Sequence, residues 1–142
     1  MEIRALKNED IDTVVELWYK VSVQAHSFIS SDYWEKNKEV MATQYLPGSE
    51  CYLAIKDEQI VGFVAMVEDY LAAIFVQTTM QGSGIGKNLL DFIKSKRETI
   101  QLKVYKNNLR SIQFYKHQGF SVLSESIDES TNEVESYMEW KK

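Results

Sequence analysis

The sequence predicts an α/β (α+β) fold: a mixed, mostly antiparallel central sheet of about six or seven strands, flanked by about four helices. Three observations predict it. Residues 51–76 hold three apolar, β-branched runs separated by short polar turns, the pattern of an antiparallel meander. The third run, Tyr70–Val76, leads through a glycine loop into a helical pattern and then into an alternating run at Thr99–Val104. That strand–helix–strand order requires a right-handed crossover and parallel pairing of 70–76 with 99–104. Two further runs, 120–127 and 134–140, flank a polar turn and read as a closing hairpin.

In order, Ile3 and Leu6 flank a short first strand. Asn8 is placed to cap the next helix, with Glu9, Asp10 and Asp12 at its positive end. Ile11, Val14, Val15, Trp18 and Val21 give that helix a core stripe, which fades near 23–28. Asp32 and Glu35 have capping-box spacing for a second helix ending before Pro47-Gly48. Strands follow at Cys51–Lys56 and Ile60–Val67, with turns at 57–59 and at Glu68-Asp69. Ile85, Leu89, Leu90, Phe92 and Ile93 share one face of the helix after the glycines. Asn108 caps a last helix, Gly119 sits at its left-handed C-terminal position, and Phe120 folds back on its last turn.

A chain of 142 residues, 44% apolar and 26% charged, suits a single domain over 1–142. There is no linker, no internal repeat, no apolar run near the ~18 residues that span a membrane, and no signal-peptide pattern. One cysteine makes no internal disulfide, so the cytoplasm is the expected compartment, and Cys51 reads as a small buried hydrophobe. Two histidines and one cysteine are too few and too scattered for a metal site. Net charge is −5, but 87–116 holds eight Lys/Arg against Asp91 and Glu98 and carries +6, leaving −11 elsewhere. An acidic chain argues against nucleic acid and for no membrane partner. The basic segment suits a polyanionic cofactor and equally suits solvated helix faces.

The glycine loop is the chemical signal. In Gln81-Gly82-Ser83-Gly84-Ile85-Gly86-Lys87, glycines alternate at the start of a helix. The first N–H groups of a helix lack partners and its dipole makes that end positive, so a phosphate can approach a backbone that carries no Cβ. A Walker loop does not fit, because Gly82 and Gly86 are too close and Asn88 follows Lys87. The dinucleotide fingerprint fails because its third glycine falls one residue early.

Gln81-x-x-Gly84-x-Gly86 resembles the acyl-CoA pyrophosphate loop of the GCN5-related N-acetyltransferase (GNAT) family, small bacterial-type members in particular. A second block strengthens the resemblance. Val104, Asn108, Ser111, Phe114, Tyr115, Gly119 and Phe120 keep the spacing of the family's later motif, with Ser111 in place of Ala. Thr78 stands where many members carry Pro.

The resemblance implies a fold and an activity: acetyl transfer from acetyl-CoA to a primary amine, a small metabolite or a protein Lys or N-terminus. Attack is direct, through a tetrahedral intermediate, with no metal. It also implies cofactor-binding roles for Ile74, Phe75 and Val76 (pantetheine and thioester), for Gln81, Gly82, Ser83, Gly84, Ile85, Gly86 and Lys87 (pyrophosphate), and for Asn108 (pantetheine). Tyr115 matches the general acid that protonates the CoA thiolate. For the base, Glu68 is the best carboxylate and His26 has the best intrinsic pKa. His26 and Phe28, in the joint between the first two helices, are substrate-side candidates, and surface or core roles remain open for them. Monomer and homodimer are both compatible. The alternative is a non-catalytic acyl-CoA sensor, against which Asn108 and Tyr115 both speak.

Overall fold

The computed structural model describes all 142 residues, Met1–Lys142. The elements are β1 (Glu2–Ala5), α1 (Ile11–Ala25), α2 (Ser31–Lys36), α3 (Lys38–Val40), β2 (Glu50–Lys56), β3 (Gln59–Val67), β4 (Tyr70–Val76), α4 (Ile85–Lys94), β5 (Thr99–Tyr105), α5 (Leu109–His117), β6 (Ser121–Asp128) and β7 (Glu133–Lys141). All seven strands form one sheet in the order β1-β2-β3-β4-β5-β7-β6. Every pairing is antiparallel except β4 with β5. The expected hairpin forms, but β7 lies inside it, between β5 and the edge strand β6.

Apolar side chains leave the sheet on both faces, so two cores form. On one face α4 and α5 cover it: Leu89, Leu90 and Ile93 pack with Ile100, Leu102 and Met138. On the other face α1 and α2 cover β2–β4: Val14, Trp18 and Trp34 pack with Leu53, Phe63 and Ala73. Cys51 is buried in this second core, and burial pushes its thiol up to about 12. It is chemically inert there, as expected of a buried thiol. On the β5–β7 part of the same face Lys103, Tyr105, Glu135 and Tyr137 alternate with the core residues, and Tyr105 packs against His26 and Phe28.

Two caps differ from expectation. A short turn, Asn8–Asp10, precedes α1, and Asp10 rather than Asn8 organises its start. The Asp10 carboxylate accepts from the Lys7 N–H at 2.9 Å and from both Arg4 guanidinium nitrogens at 2.8 and 3.1 Å. The Arg4 hydrogen bond holds that carboxyl below the usual carboxylate range despite its burial. At α2 the capping box of Asp32 and Glu35 gives way to Ser30, whose hydroxyl accepts from the Asp32 N–H at 3.3 Å. Ser30 has the non-helical backbone an N-cap needs, and Asp32 already lies in the first turn. The second helical segment breaks at Asn37, whose side chain donates to the Tyr33 carbonyl at 2.7 Å.

The later helices follow the sequence closely. The Asn108 side chain accepts from the Ser111 N–H, and Gly119 takes φ 92°. Phe120 N–H then reaches the Tyr115 carbonyl at 3.0 Å, and Gly119 N–H reaches Lys116 at 3.1 Å. These are the two bonds of a Schellman motif, and they fix the turn that carries Tyr115.

Gly62 on β3 has ordinary dihedrals but no room. A Cβ there would lie 2.9 Å from the Phe75 carbonyl oxygen, which is backbone and cannot move aside. Gly82 has φ 84° with nothing within 4 Å of its absent Cβ. Gly62→Ala should therefore cost about 1–3 kcal/mol by overpacking. Gly82→Ala should cost roughly 1–2 kcal/mol through its left-handed backbone alone. Urea midpoints of the two variants check this; equal stability of Gly62→Ala and the native chain would contradict the packing described.

Candidate active site

The site begins where the sheet comes apart. β4 and β5 pair at one position, Tyr70 opposite Gln101, and then diverge. A bulge in β4 places Ala72 opposite no residue of β3, so Leu71 and Ala73 enter opposite cores. Beyond the bulge, Gln77 N–H donates to the Val61 carbonyl at 2.8 Å. In an antiparallel ladder hydrogen-bonded pairs alternate, so Phe75 turns its backbone toward β3. Ile74 and Val76 therefore present their N–H and C=O groups to the gap left by β5. Of the three strand residues singled out in the sequence, these two have backbone free for a ligand. The only group that meets them is the Gln81 side chain, which donates to the Val76 carbonyl at 3.0 Å.

The gap opens into a cleft of about 940 Å³. At one end lies the glycine loop. Gly82 and Gly84 have φ 84° and 89°, and nothing fills the space beside their Cα atoms. The N–H groups of Gly82 through Lys87 find no acceptor in the chain. A row of unpaired donors at the start of α4 is the cradle a pyrophosphate needs. Gly86 serves packing instead: a Cβ there would come to 3.3 Å from Phe114 and 3.6 Å from Val76, so glycine lets α4 sit against both. The Ser83 hydroxyl donates to the Met80 carbonyl, and Thr78 donates to Gln24 of α1, tying the loop to its surroundings.

The basic segment divides in two. Lys87, Lys103 and Arg110 line the cleft, although Lys87 also pairs with Asp91 at 2.6 Å on the helix surface. Arg97 pairs with Glu50 and Asp69, and Lys94 lies over the Trp140 ring while donating to the Gln118 carbonyl. Those charges hold the fold together.

On the far wall, Tyr115 is buried, packs against Phe120 and Phe114, and lines the cleft. Burial pushes the phenol well up from its ordinary value, with Tyr70 adding to the push. It stays protonated.

Asn108 and His26 form one unit. Asn108 Oδ1 caps α5 and its Nδ2 lies 3.2 Å from His26 Nε2. His26 Nδ1 is 3.0 Å from the Ser22 carbonyl, which only accepts. The proton is therefore on Nδ1, and Nε2 accepts from Asn108. Burial lowers the His26 pKa below its ordinary 6.5, with the Ser22 bond opposing. The ring stacks on Trp34 at 5.0 Å and meets Phe28 and Tyr105 edge-on. His26 thus lines the cleft beside α1, while Phe28 packs behind its ring without lining the cleft.

Glu68 is not brought to the cleft. It sits in the β3–β4 turn with φ 55°, its carbonyl accepting from Arg97. The length of β4, roughly 20 Å, separates it from Val76. Glu135, unremarked in the sequence, is the one carboxylate lining the cleft. Its signal was the alternation of β7, which puts Glu135 and Tyr137 on one face. No group of His, Cys, Asp and Glu in the chain has metal-binding geometry, and no helix is long and apolar enough to cross a membrane.

Comparison with known proteins bears on the same region. The model of the acetyltransferase (GNAT) domain matches residues 47–122. Peptidyl-lysine N-acetyltransferase YiaC of Escherichia coli is 29% identical over 139 residues, 97% of this chain and 95% of the relative. The solution structure of apo-form YjaB from Escherichia coli superposes with a TM-score of 0.87 at 23% identity, covering 98% of this chain and 96% of that one. An acetyltransferase from Bacillus anthracis, solved in complex with acetyl coenzyme A, superposes with a TM-score of 0.60 at 23% identity over 70% of this chain and 66% of its own.

Because His26 is held neutral, its stability contribution has a definite sign. The folded pKa lies below the unfolded one, so the contribution is complete above about pH 6.5 and is lost as pH falls through the folded value. Between pH 7 and pH 5 the urea midpoint of the native chain should fall further than that of His26→Phe, which cannot titrate. Parallel declines would contradict the buried neutral ring.

Proposed function

This chain belongs to the GNAT acetyltransferase family, and on that premise we propose that it moves an acetyl group from acetyl-CoA to a primary amine, foremost the side chain of a protein lysine. The observation that carries the reading is the unpaired edge of β4 running into the donor-lined glycine loop. The lysine acceptor is supported by the relatives named for it. In this reading the whole chain acts as one catalytic domain in the cytoplasm.

Acetyl-CoA supplies a thioester carbonyl whose oxygen gathers charge when nitrogen adds to its carbon. The N–H groups of Gly82 through Lys87 receive the pyrophosphate, with Arg110 adding positive charge at the cleft. Ile74 and Val76 take the pantetheine amides as a missing strand would, and Asn108 borders the same arm. The Val76 N–H stabilises the oxyanion from a fixed backbone position. Phe75 contributes its ring, stacked on Phe63 at 5.6 Å, rather than its backbone.

Tyr115 faces the leaving sulfur. A phenol raised by burial is a weaker acid than a thiol, so outright transfer to the thiolate is uphill. Tyr115 acts by donating a hydrogen bond to sulfur while passing on a proton that nitrogen must lose. His26, with Phe28 packed behind its ring, shapes the acceptor side. Because Nε2 of His26 is occupied by Asn108, its role is positional.

Acetyl-CoA at about 100 times its dissociation constant should add about 2.7 kcal/mol and raise Tm by roughly 5–11 °C. ATP and NAD should leave Tm unmoved; the absence of an acetyl-CoA shift would overturn the cofactor assignment. Tyr115→Phe should keep that shift and lose turnover on the order of 100-fold. A variant as fast as the native enzyme would remove Tyr115 from the reaction.

A further inference from the structure

The acyltransfer reading leaves one requirement unmet. A lysine amine is protonated at neutral pH (ordinary pKa ~10.4), and its lone pair is blocked until a proton leaves. The two residues the sequence offers do not serve. Glu68 is in a distant turn, and the His26 lone pair is engaged by Asn108.

Glu135 stands where the need is. It lies on β7 opposite Tyr105 and lines the cleft with Ile74, Val76 and Tyr115. Its carboxylate makes no hydrogen bond or ion pair within the chain, although the residue is half-buried. Its oxygens are open to the cleft, where an ammonium supplies both donors and charge. The groups that face it are Lys103 and Tyr105 from β5, Asp128 from β6, Tyr137 beside it on β7, Tyr70 from β4 and Tyr33 from α2. Asp128 is already committed: it accepts from the Tyr105 hydroxyl at 2.6 Å. Lys103 supplies positive charge without forming an ion pair. Of the tyrosines, Tyr105 and Tyr115 line the cleft with it, and their rings suit a cation on an alkyl stem.

We infer that Glu135 is the acceptor-side catalytic residue: it receives the primary ammonium and takes the proton that leaves before nitrogen attacks. The inference rests on the acyltransfer reading above. Its carboxyl is pushed up by burial first and by Asp128 second, against the pull of Lys103, which makes it a stronger base than an ordinary glutamate. The proton count closes. Of the three protons on the ammonium nitrogen, one goes to Glu135 and on to solvent. One reaches the departing sulfur by way of Tyr115. One stays on the amide. The new bond is C–N, the broken bond is C–S, and no oxidant or reductant is involved.

The test follows thiol release from acetyl-CoA with an N-terminally blocked lysine peptide, across pH, for the native enzyme, Glu135→Gln and Glu135→Asp. Acetyl-CoA-dependent Tm is read on the same samples. Glu135→Gln should keep the acetyl-CoA shift, lose kcat/KM on the order of 100-fold at neutral pH, and lose the acid limb of the pH profile. Glu135→Asp should restore that limb. A Glu135→Gln profile matching the native one overturns the assignment while leaving the acyltransfer reading intact. A native enzyme that acetyl-CoA does not stabilise overturns the acyltransfer reading itself, and this inference with it.

Discussion

Everything in the site depends on one missing set of hydrogen bonds. Buried backbone groups are nearly always paired, and in a sheet the neighbouring strand normally pairs them. Here β5 meets β4 only at Tyr70 and Gln101 and then turns away. The outward groups of Ile74 and Val76 are left for a ligand with amides of its own. The bulge at Ala72 aims β4 into the gap, and the crossover helix α4 returns the chain to β5. The same crossover places the glycine loop at the end of the opening. The cleft is a consequence of sheet geometry, and the side chains only furnish it.

The division of charge follows from the same geometry. The loop end of the cleft presents bare N–H groups, Lys87 and Arg110. The opposite wall presents Glu135 beside its cross-strand partner Tyr105. A cleft positive at one end and carrying a carboxylate at the other suits a reaction between a polyanion and a cation. The basic run at 87–116 serves the cleft only in part, since Arg97 and Lys94 spend their charge on the fold.

Much of this was legible in the sequence because it is local. The run Tyr70–Val76, the loop to Gly86, and the Asn108 and Gly119 caps each specify their own backbone within a few residues. The place of Tyr115, on α5 and lining the cleft, was legible because its motif is contiguous. What escaped was set by pairing between distant segments. Whether Asn8 or Asp10 organises α1 depends on Arg4 reaching across from β1. Whether Glu68 is near the chemistry depends on which end of β4 parts from β5. Glu135 comes to line the cleft only because β7, rather than β6, lies beside β5.

That last arrangement bears on how the chain is made. The meander β2–β3–β4 joins neighbours in sequence and can pair as soon as it leaves the ribosome. β5 cannot finish its sheet so early. Its second edge stays bare through the synthesis of α5 and β6, until residues 133–141 slide between them. For that interval the nascent protein exposes the edge of Leu102 and Val104, and a waiting strand edge is the part of a sheet most prone to pairing with a stranger. The strand that brings Glu135 to the cleft is also the one that closes this exposure, so the cleft wall and protection from misassembly arrive in a single step.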